Sequence, residues 1–312
     1  MTDTNLEPII SIVCPCYNEV KVIDIFLREI NIVLEEISKS FEIIFINDGS
    51  TDNTLAELKH FKKLYKNVRI INLSRNFGKE AALTAGLDAA KGEVIIPIDV
   101  DLQDPPILIK NFIEHWENGS DVVLAKRIDR SNDSWFKRIS AKLFYKLNHK
   151  ISKVEIPENV GDYRLITKKV LEALKQLPES ERFMKGLFSW VGFKTTTIEY
   201  KREKRAAGET SFSGWKLWNL ALDGITSFST FPLKVWLYIG SIVSFISFIY
   251  GLIIIFKTII LGIELPGYAS VMTVILFLGG IQLIGIGILG EYIGRIYMES
   301  KRRPTYIIED EY

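Results

Sequence analysis

The chain has 312 residues, 47% of them hydrophobic, and a formal net charge of +1. That balance sets up no global field for a polyanion, so nucleic-acid binding is not expected. Cys14 and Cys16 stand in a "CPC" that matches neither a redox pair nor a metal site. His60, His115 and His149 are scattered, so no zinc site is expected.

The first ten residues, "MTDTNLEPII", lack a basic stretch followed by an apolar one, and no signal peptide is expected. Apolar runs then alternate with amphipathic stretches. Strands are predicted over 9–13, 41–46, 68–73, 94–98 and 121–125. Helical spacing falls over 22–37, 53–65, 79–90 and 107–116. Strands that read as continuous Val/Ile runs and alternate with helices predict an α/β fold, with a mainly parallel sheet covered on both faces. Cys14 and Cys16 then share one strand face as reduced packing residues.

Further on, 235–256 carries no charge, and in 267–290 Gln282 is the one strongly polar side chain. Each run is long enough to cross a bilayer as a helix, which takes roughly 20 residues. Lys201, Arg202, Lys204 and Arg205 precede the runs, and Lys301, Arg302 and Arg303 follow them. The positive-inside rule therefore puts both termini in the cytoplasm and the link 257–266 outside. Glu291 and Arg295 are spaced to pair where the second helix leaves the membrane. Trp215 and Trp218 lie between the basic run and the first span, in a stretch suited to a helix on the membrane surface. The glycines at 279, 280, 285, 287, 290 and 294 predict close helix packing, within or between chains, and a homo-oligomer is expected. The organisation predicted is a catalytic domain over 1–210, an interfacial segment over 211–232, spans over 233–256 and 267–290, and a cytosolic tail over 291–312.

Open α/β sheets bind ligands at the carboxyl ends of their strands. Four polar clusters fall there: "CPCYNE" (14–19), "INDGSTDNT" (46–54), "LSRNFGKE" (73–80) and "DVDLQDPP" (99–106). A turn and a helix N-cap would account for the second alone. They do not account for four clusters on one edge. Asp99 and Asp101, two residues apart at a strand end, would repel one another. A divalent cation shared with a diphosphate relieves that, because magnesium prefers few carboxylates plus substrate phosphates.

Taken in order, "PCYNE", "NDGSTDNT", "RNFGKEAALTAG", "DVDLQDPP", "GDYRLI" and "GETSFS", followed by two spans, resemble a family 2 glycosyltransferase. The likeness is greatest to bactoprenol (undecaprenyl-phosphate) glucosyltransferases and dolichol-phosphate mannose synthases. It implies a GT-A type fold, a nucleotide-sugar donor, a polyprenyl phosphate acceptor and an inverting transfer at the bacterial inner membrane. By position, Pro15, Tyr17 and Glu19 would line the nucleotide site and Asp48 would contact the uracil. Asp99 and Asp101, with Gln103, would hold Mg²⁺ or Mn²⁺ on the diphosphate. Lys79 and Arg75 lie near the same pocket in sequence order.

Asp162 of "GDYRL" is the base candidate. The alternatives are a partner for Arg164 or the acceptor, and a capping acid ahead of "LITKKVLEAL". Lys201, Arg202, Arg205 and Ser211 are expected on the acceptor phosphate, with Gly208 freeing the loop to close. Glucose from UDP-glucose is the expected sugar, against mannose, galactose, GlcNAc or aminoarabinose. A rival of another class is a membrane-anchored scaffold that binds a nucleotide sugar without turning it over. A processive synthase would carry Gln-x-x-Arg-Trp, and a Rossmann dehydrogenase would carry G-x-G-x-x-G after its first strand. The sequence has neither.

Overall fold

The computed structural model describes residues 8–128, 157–177, 179, 182–201, 229–261 and 267–312. Its strands are β1 (Ile10–Cys16), β2 (Phe41–Asn47), β3 (Val68–Leu73), β4 (Val94–Pro97), β5 (Val122–Arg127), β6 (Val160–Thr167), β7 (Thr195–Tyr200) and β8 (Ile308–Glu311). They form one sheet in the order β7-β5-β6-β4-β1-β2-β3-β8. β3, β2, β1 and β4 are parallel neighbours. β6 runs antiparallel to both β4 and β5, and β8 runs antiparallel to β3. The sheet is thus mainly parallel, as expected, with reversals on both sides of its centre.

Helices cover both faces because the central strands are apolar on both. α1 (Ile23–Ile37), α2 (Thr54–Leu64) and α4 (Leu108–Glu117) bury Phe26, Leu58 and Phe112 against Ile12, Cys14 and Phe45. α3 (Lys79–Ala89), α5 (Lys168–Lys175) and α6 (Met184–Trp190) bury Leu83, Leu171 and Phe188 against Val13, Ile44 and Ile166. Successive strand residues point to opposite faces, so Val13 and Cys14 serve different cores. Cys14 and Cys16 are free and buried, as packing residues should be.

α7 (Phe231–Leu261) and α8 (Tyr268–Ser300) are each about 45–50 Å long at 1.5 Å per residue. Both are long and apolar enough to cross a membrane. Among the described residues, the stretches Phe231–Ile254 and Phe277–Ser300 have mean hydropathy 2.1 and 1.4 and are almost wholly unburied. A core helix of a soluble protein would be covered. The helices touch at Gly285, where any side chain would overlap the Trp236 indole. Among the described residues, a Cβ at Gly279, Gly280, Gly287, Gly290 or Gly294 would meet nothing within 4 Å. Arg295 pairs with Glu291 at 3.0 Å, as their spacing predicts.

The stretch 291–312, expected as a cytosolic tail, is ordered. Its first part is helix, and residues 308–311 return to the catalytic sheet as its edge strand.

Candidate active site

The carboxyl ends of β1, β2, β3 and β4 meet on one edge of the sheet, and the four polar clusters of the sequence meet with them. Asn18, after β1, holds the first two clusters together. Its side-chain oxygen accepts the backbone N–H of Thr51 at 2.8 Å and of Asp52 at 3.3 Å. Its own N–H donates to Ser50 Oγ at 3.0 Å. It sits at φ 57°, a region that Asn tolerates better than most residues. The sequence reading passed over Asn18. An Asn between two candidate ligands in a tight loop was the available signal. Its neighbour Tyr17 is exposed, Pro15 is half-buried, and the Glu19 N–H donates to Thr54 Oγ1 at 2.9 Å.

Asp48, after β2, is buried, and its carboxylate accepts the N–H groups of Phe77 at 2.7 Å and Gly78 at 3.0 Å. Burial pushes its pKa up, against the pull of those two N–H groups. Asp48 thereby ties the 74–78 loop to the end of β2. The approach is so close that a Cβ on Gly49 would overlap the backbone of Arg75 and Asn76. Arg75 is exposed and stacks on Phe77 at 3.9 Å.

The loop delivers Lys79 to the end of β4. Its ammonium lies 2.7 Å from Asp99 Oδ2 and 3.0 Å from Asp162 Oδ2. The side chain is half-exposed, and its ammonium sits between the two carboxylates. Desolvation favours the neutral amine there, but the two acids outweigh it and raise the pKa.

Asp162 lies inside β6, which overturns the capping alternative. Burial would raise its pKa. Lys79, Lys185 and Arg164 overcome that and hold the carboxyl well below the usual range. Beside it, burial and the Asp162 charge push Glu80 up to about 7. Arg164 shares this face of β6, stacks on Phe188 at 4.1 Å and donates to the Gly161 carbonyl at 2.6 Å. Its pKa is lowered by burial to about 10. Glu80, Arg164 and Lys185 complete a charged cluster that the sequence did not reveal, because its members come from α3, β6 and α6.

The three acids of "DVDLQDPP" divide their work. Asp104 is buried and accepts the Tyr200 hydroxyl, with Arg127 3.9 Å away. Tyr163 donates to the Pro105 carbonyl at 2.9 Å. Asp104 and Pro105 thus fasten the loop to β7, β5 and β6. Asp101 is buried, and its Oδ1 accepts the Gln103 N–H at 3.2 Å across a turn with Leu102 at φ 55°. Asp99 remains partly exposed. Among the described residues no group of three or more His, Cys, Asp or Glu could hold a metal by itself. Two carboxylates on an open edge nonetheless fit a hard cation that takes its other oxygens from a diphosphate. Lys79 already brings a positive charge to Asp99.

Lys201 is exposed just after β7. Arg202, Arg205, Gly208, Ser211 and the interfacial segment as far as 228 lie outside the described residues, and Phe231 and Pro232 of that segment already belong to α7.

Residues 11–175 match the model of glycosyl transferase family 2, and residues 231–296 match the GtrB C-terminal hairpin. The chain is 55% identical over 300 residues to a prophage bactoprenol glucosyl transferase homolog of Escherichia coli K12, covering 96% of this chain and 98% of that one. It is 55% identical over 302 residues to the bactoprenol glucosyl transferase of Shigella phage SfV, covering 97% and 98%. Among solved structures, glucosyl-3-phosphoglycerate synthase of Mycobacterium tuberculosis superposes with a TM-score of 0.51 at 19% identity, over 70% of this chain and 76% of that one. That likeness is one of fold.

Proposed function

The chain belongs to glycosyl transferase family 2, and on that premise we propose that it transfers glucose from UDP-glucose to undecaprenyl phosphate, with inversion, at the cytoplasmic face of a bacterial inner membrane. One observation carries this reading. Asp99, Asp101 and Lys79 converge on a nucleotide-type sheet edge in a chain that also bears a two-helix apolar hairpin. The bactoprenol named for the relatives supports the lipid acceptor, and their glucosyl activity supports the sugar.

Pro15, Tyr17, Glu19 and Asp48 would line the nucleoside. Asp48 also keeps the 74–78 loop against it through the Phe77 and Gly78 N–H groups. Asp99, Asp101 and Gln103 would hold Mg²⁺ or Mn²⁺, which supplies Lewis-acid stabilisation of the departing nucleoside diphosphate. Lys79 adds a second positive charge on a flexible stem where that leaving group gathers negative charge.

The acceptor needs little help to become a nucleophile. A phosphate monoester with a second pKa of about 6 is largely dianionic at neutral pH. A carboxylate held by Lys79 below the usual range is a weak proton acceptor, so Asp162 is assigned to orienting Lys79. Lys201, Arg202, Arg205 and Ser211 would take the acceptor phosphate. The basic runs on either side of the hairpin support cytoplasmic termini. The glycine row of α8, uncovered by α7 except at Gly285, supports a homo-oligomer.

The test is a radiolabelled donor screen. Purified protein receives undecaprenyl phosphate, Mg²⁺ or Mn²⁺, and UDP-glucose, UDP-galactose, UDP-GlcNAc or GDP-mannose in turn. Label should enter the lipid with UDP-glucose. It should be lost with EDTA and fall at least about 100-fold in Asp101→Ala, the equivalent of about 3 kcal/mol of metal stabilisation. Label from another donor would reassign the sugar. Donor binding with no lipid label from any donor would favour the scaffold.

A further inference from the structure

After α8 the chain turns back to the catalytic sheet, and its attachment there is specific. The Tyr306 hydroxyl donates to Asp88 at 2.9 Å. The Ile307 carbonyl accepts the Ser74 N–H at 3.0 Å. Tyr312 and Ile70 exchange both backbone hydrogen bonds, at 3.0 and 2.9 Å, and Lys59 lies 4.0 Å over the Tyr312 ring.

Between these anchors the ladder slips. Asn72 pairs with Asp310 and Leu73 with Ile308, which leaves Glu309 as the extra residue of a bulge. Bulges re-aim side chains. This one sets Glu309, itself exposed, against the end of β3, where its Oε2 accepts the Asn72 side-chain NH₂ at 2.8 Å. Asn72 in turn accepts the Asn47 NH₂ at 2.7 Å. Asn72 and Asn47 are both buried.

The chemistry gives this relay a direction. An ionised carboxylate only accepts, so Asn72 must offer Glu309 its NH₂ and keep its carbonyl for Asn47. That choice orients Asn47 as well. It leaves the buried Asn47 Oδ1 without a hydrogen bond among the described residues, a costly arrangement that the charge-assisted bond to Glu309 enforces. The next residue is Asp48, which grips Phe77 and Gly78. The 74–78 loop is therefore held at both ends, by the Ile307 carbonyl at Ser74 and by Asp48 before Lys79.

We propose that Glu309 is a positioning residue for donor binding, acting through Asn72 and Asn47 on the Asp48-held loop that carries Lys79. The strand that returns from the membrane hairpin thereby sets the donor edge. The proposal rests on the nucleoside diphosphate reading of that edge.

Glu309→Ala, Glu309→Gln and Asp310→Ala test it in the full-length protein. Glutamine keeps an acceptor for Asn72. Asp310 lies on the same strand, and its side chain accepts the Tyr312 hydroxyl. Donor KM and the Kd for UDP should rise about tenfold in Glu309→Ala, the scale of one hydrogen bond to a charged group, because Asn72 and Asn47 are then free to reorient beside Asp48. Undecaprenyl phosphate KM and Tm should hold, and the other two variants should match wild type. Unchanged donor constants in Glu309→Ala would overturn the proposal. So would a joint loss of donor KM, acceptor KM and Tm, or a Gln variant as poor as Ala. If wild type fails to bind UDP, the donor assignment fails by itself, and the same comparison is made with the nucleoside diphosphate that wild type binds.

Discussion

The Lys79 ammonium lies 2.7 Å from Asp99 and 3.0 Å from Asp162, so one side chain joins the carboxyl end of β4 to the opening of β6. Asp99 is a candidate metal ligand and Asp162 the acid assigned to orienting Lys79. The bridge ties both to a loop that Asp48 fixes, so the donor edge is one electrostatic unit.

Lys79→Met should therefore do more than remove a charge near the leaving group. It takes the cation from Asp99 and leaves Asp162 with Lys185 and Arg164 alone, so the two carboxylates repel more strongly. Steady-state assays should show kcat lowered by about 10²–10³, the usual cost of removing a group that stabilises developing negative charge. Lys79→Arg should recover part of that loss. A Lys79→Met enzyme with wild-type kcat would remove Lys79 from the reaction.

Asp162→Asn separates a base from a positioning partner. A base would take the alkaline-rising limb of the pH–rate profile with it. A positioning residue would lower kcat by about tenfold and leave the shape of the profile intact, since the acceptor phosphate ionises by itself. The second outcome is expected from the ion pair to Lys79. It is read from kcat measured between pH 5 and 9, a range set by the phosphate pKa of about 6.

Stability should respond to pH through Glu80. Burial and Asp162 raise its pKa from 4.5 to about 7 in the folded protein. Between these values the folded state keeps a proton that the unfolded state has lost, so stability falls as pH rises through that window. Asp162 is shifted the other way. Its contribution is present above its ordinary 3.8 and lost only at lower pH, outside the Glu80 window. Tm of Glu80→Gln should accordingly be flatter than wild type from about pH 4.5 to 7 and higher above it. Parallel Tm curves would show that Glu80 is not shifted.

The sequence revealed strands where their residues are apolar on both faces. β1 to β4 are Val/Ile runs, and their predicted places hold to within a few residues. β6 was hidden because Asp162 and Arg164 put charge on one of its faces, and "GDYRLI" reads first as a motif. β8, "IEDE", is exposed along its whole length and held by backbone pairing, so it has no hydrophobic pattern to find. The site divides in the same way. "DVD" and "NDGS" are local and were visible. The grip of Lys79 on Asp162, and that of Glu309 on Asn72, join residues far apart in the chain, which only the folded sheet brings together.

The hairpin offers a test in which the glycine row predicts its own exception. Six glycines were expected to allow close helix packing, within or between chains, and among the described residues Gly285 alone of the six meets a partner, the indole of Trp236. Gly285→Leu must push that ring aside. Overpacking of this kind costs about 1–3 kcal/mol, which should appear as a lower Tm in detergent. Gly287→Ala and Gly290→Ala face open space and should leave the Tm of a detergent-solubilised monomer unchanged. Trp236→Ala makes room for the new side chain, so the double variant Trp236→Ala/Gly285→Leu should be more stable than the two single losses added together. Strict additivity would mean that the two residues do not touch.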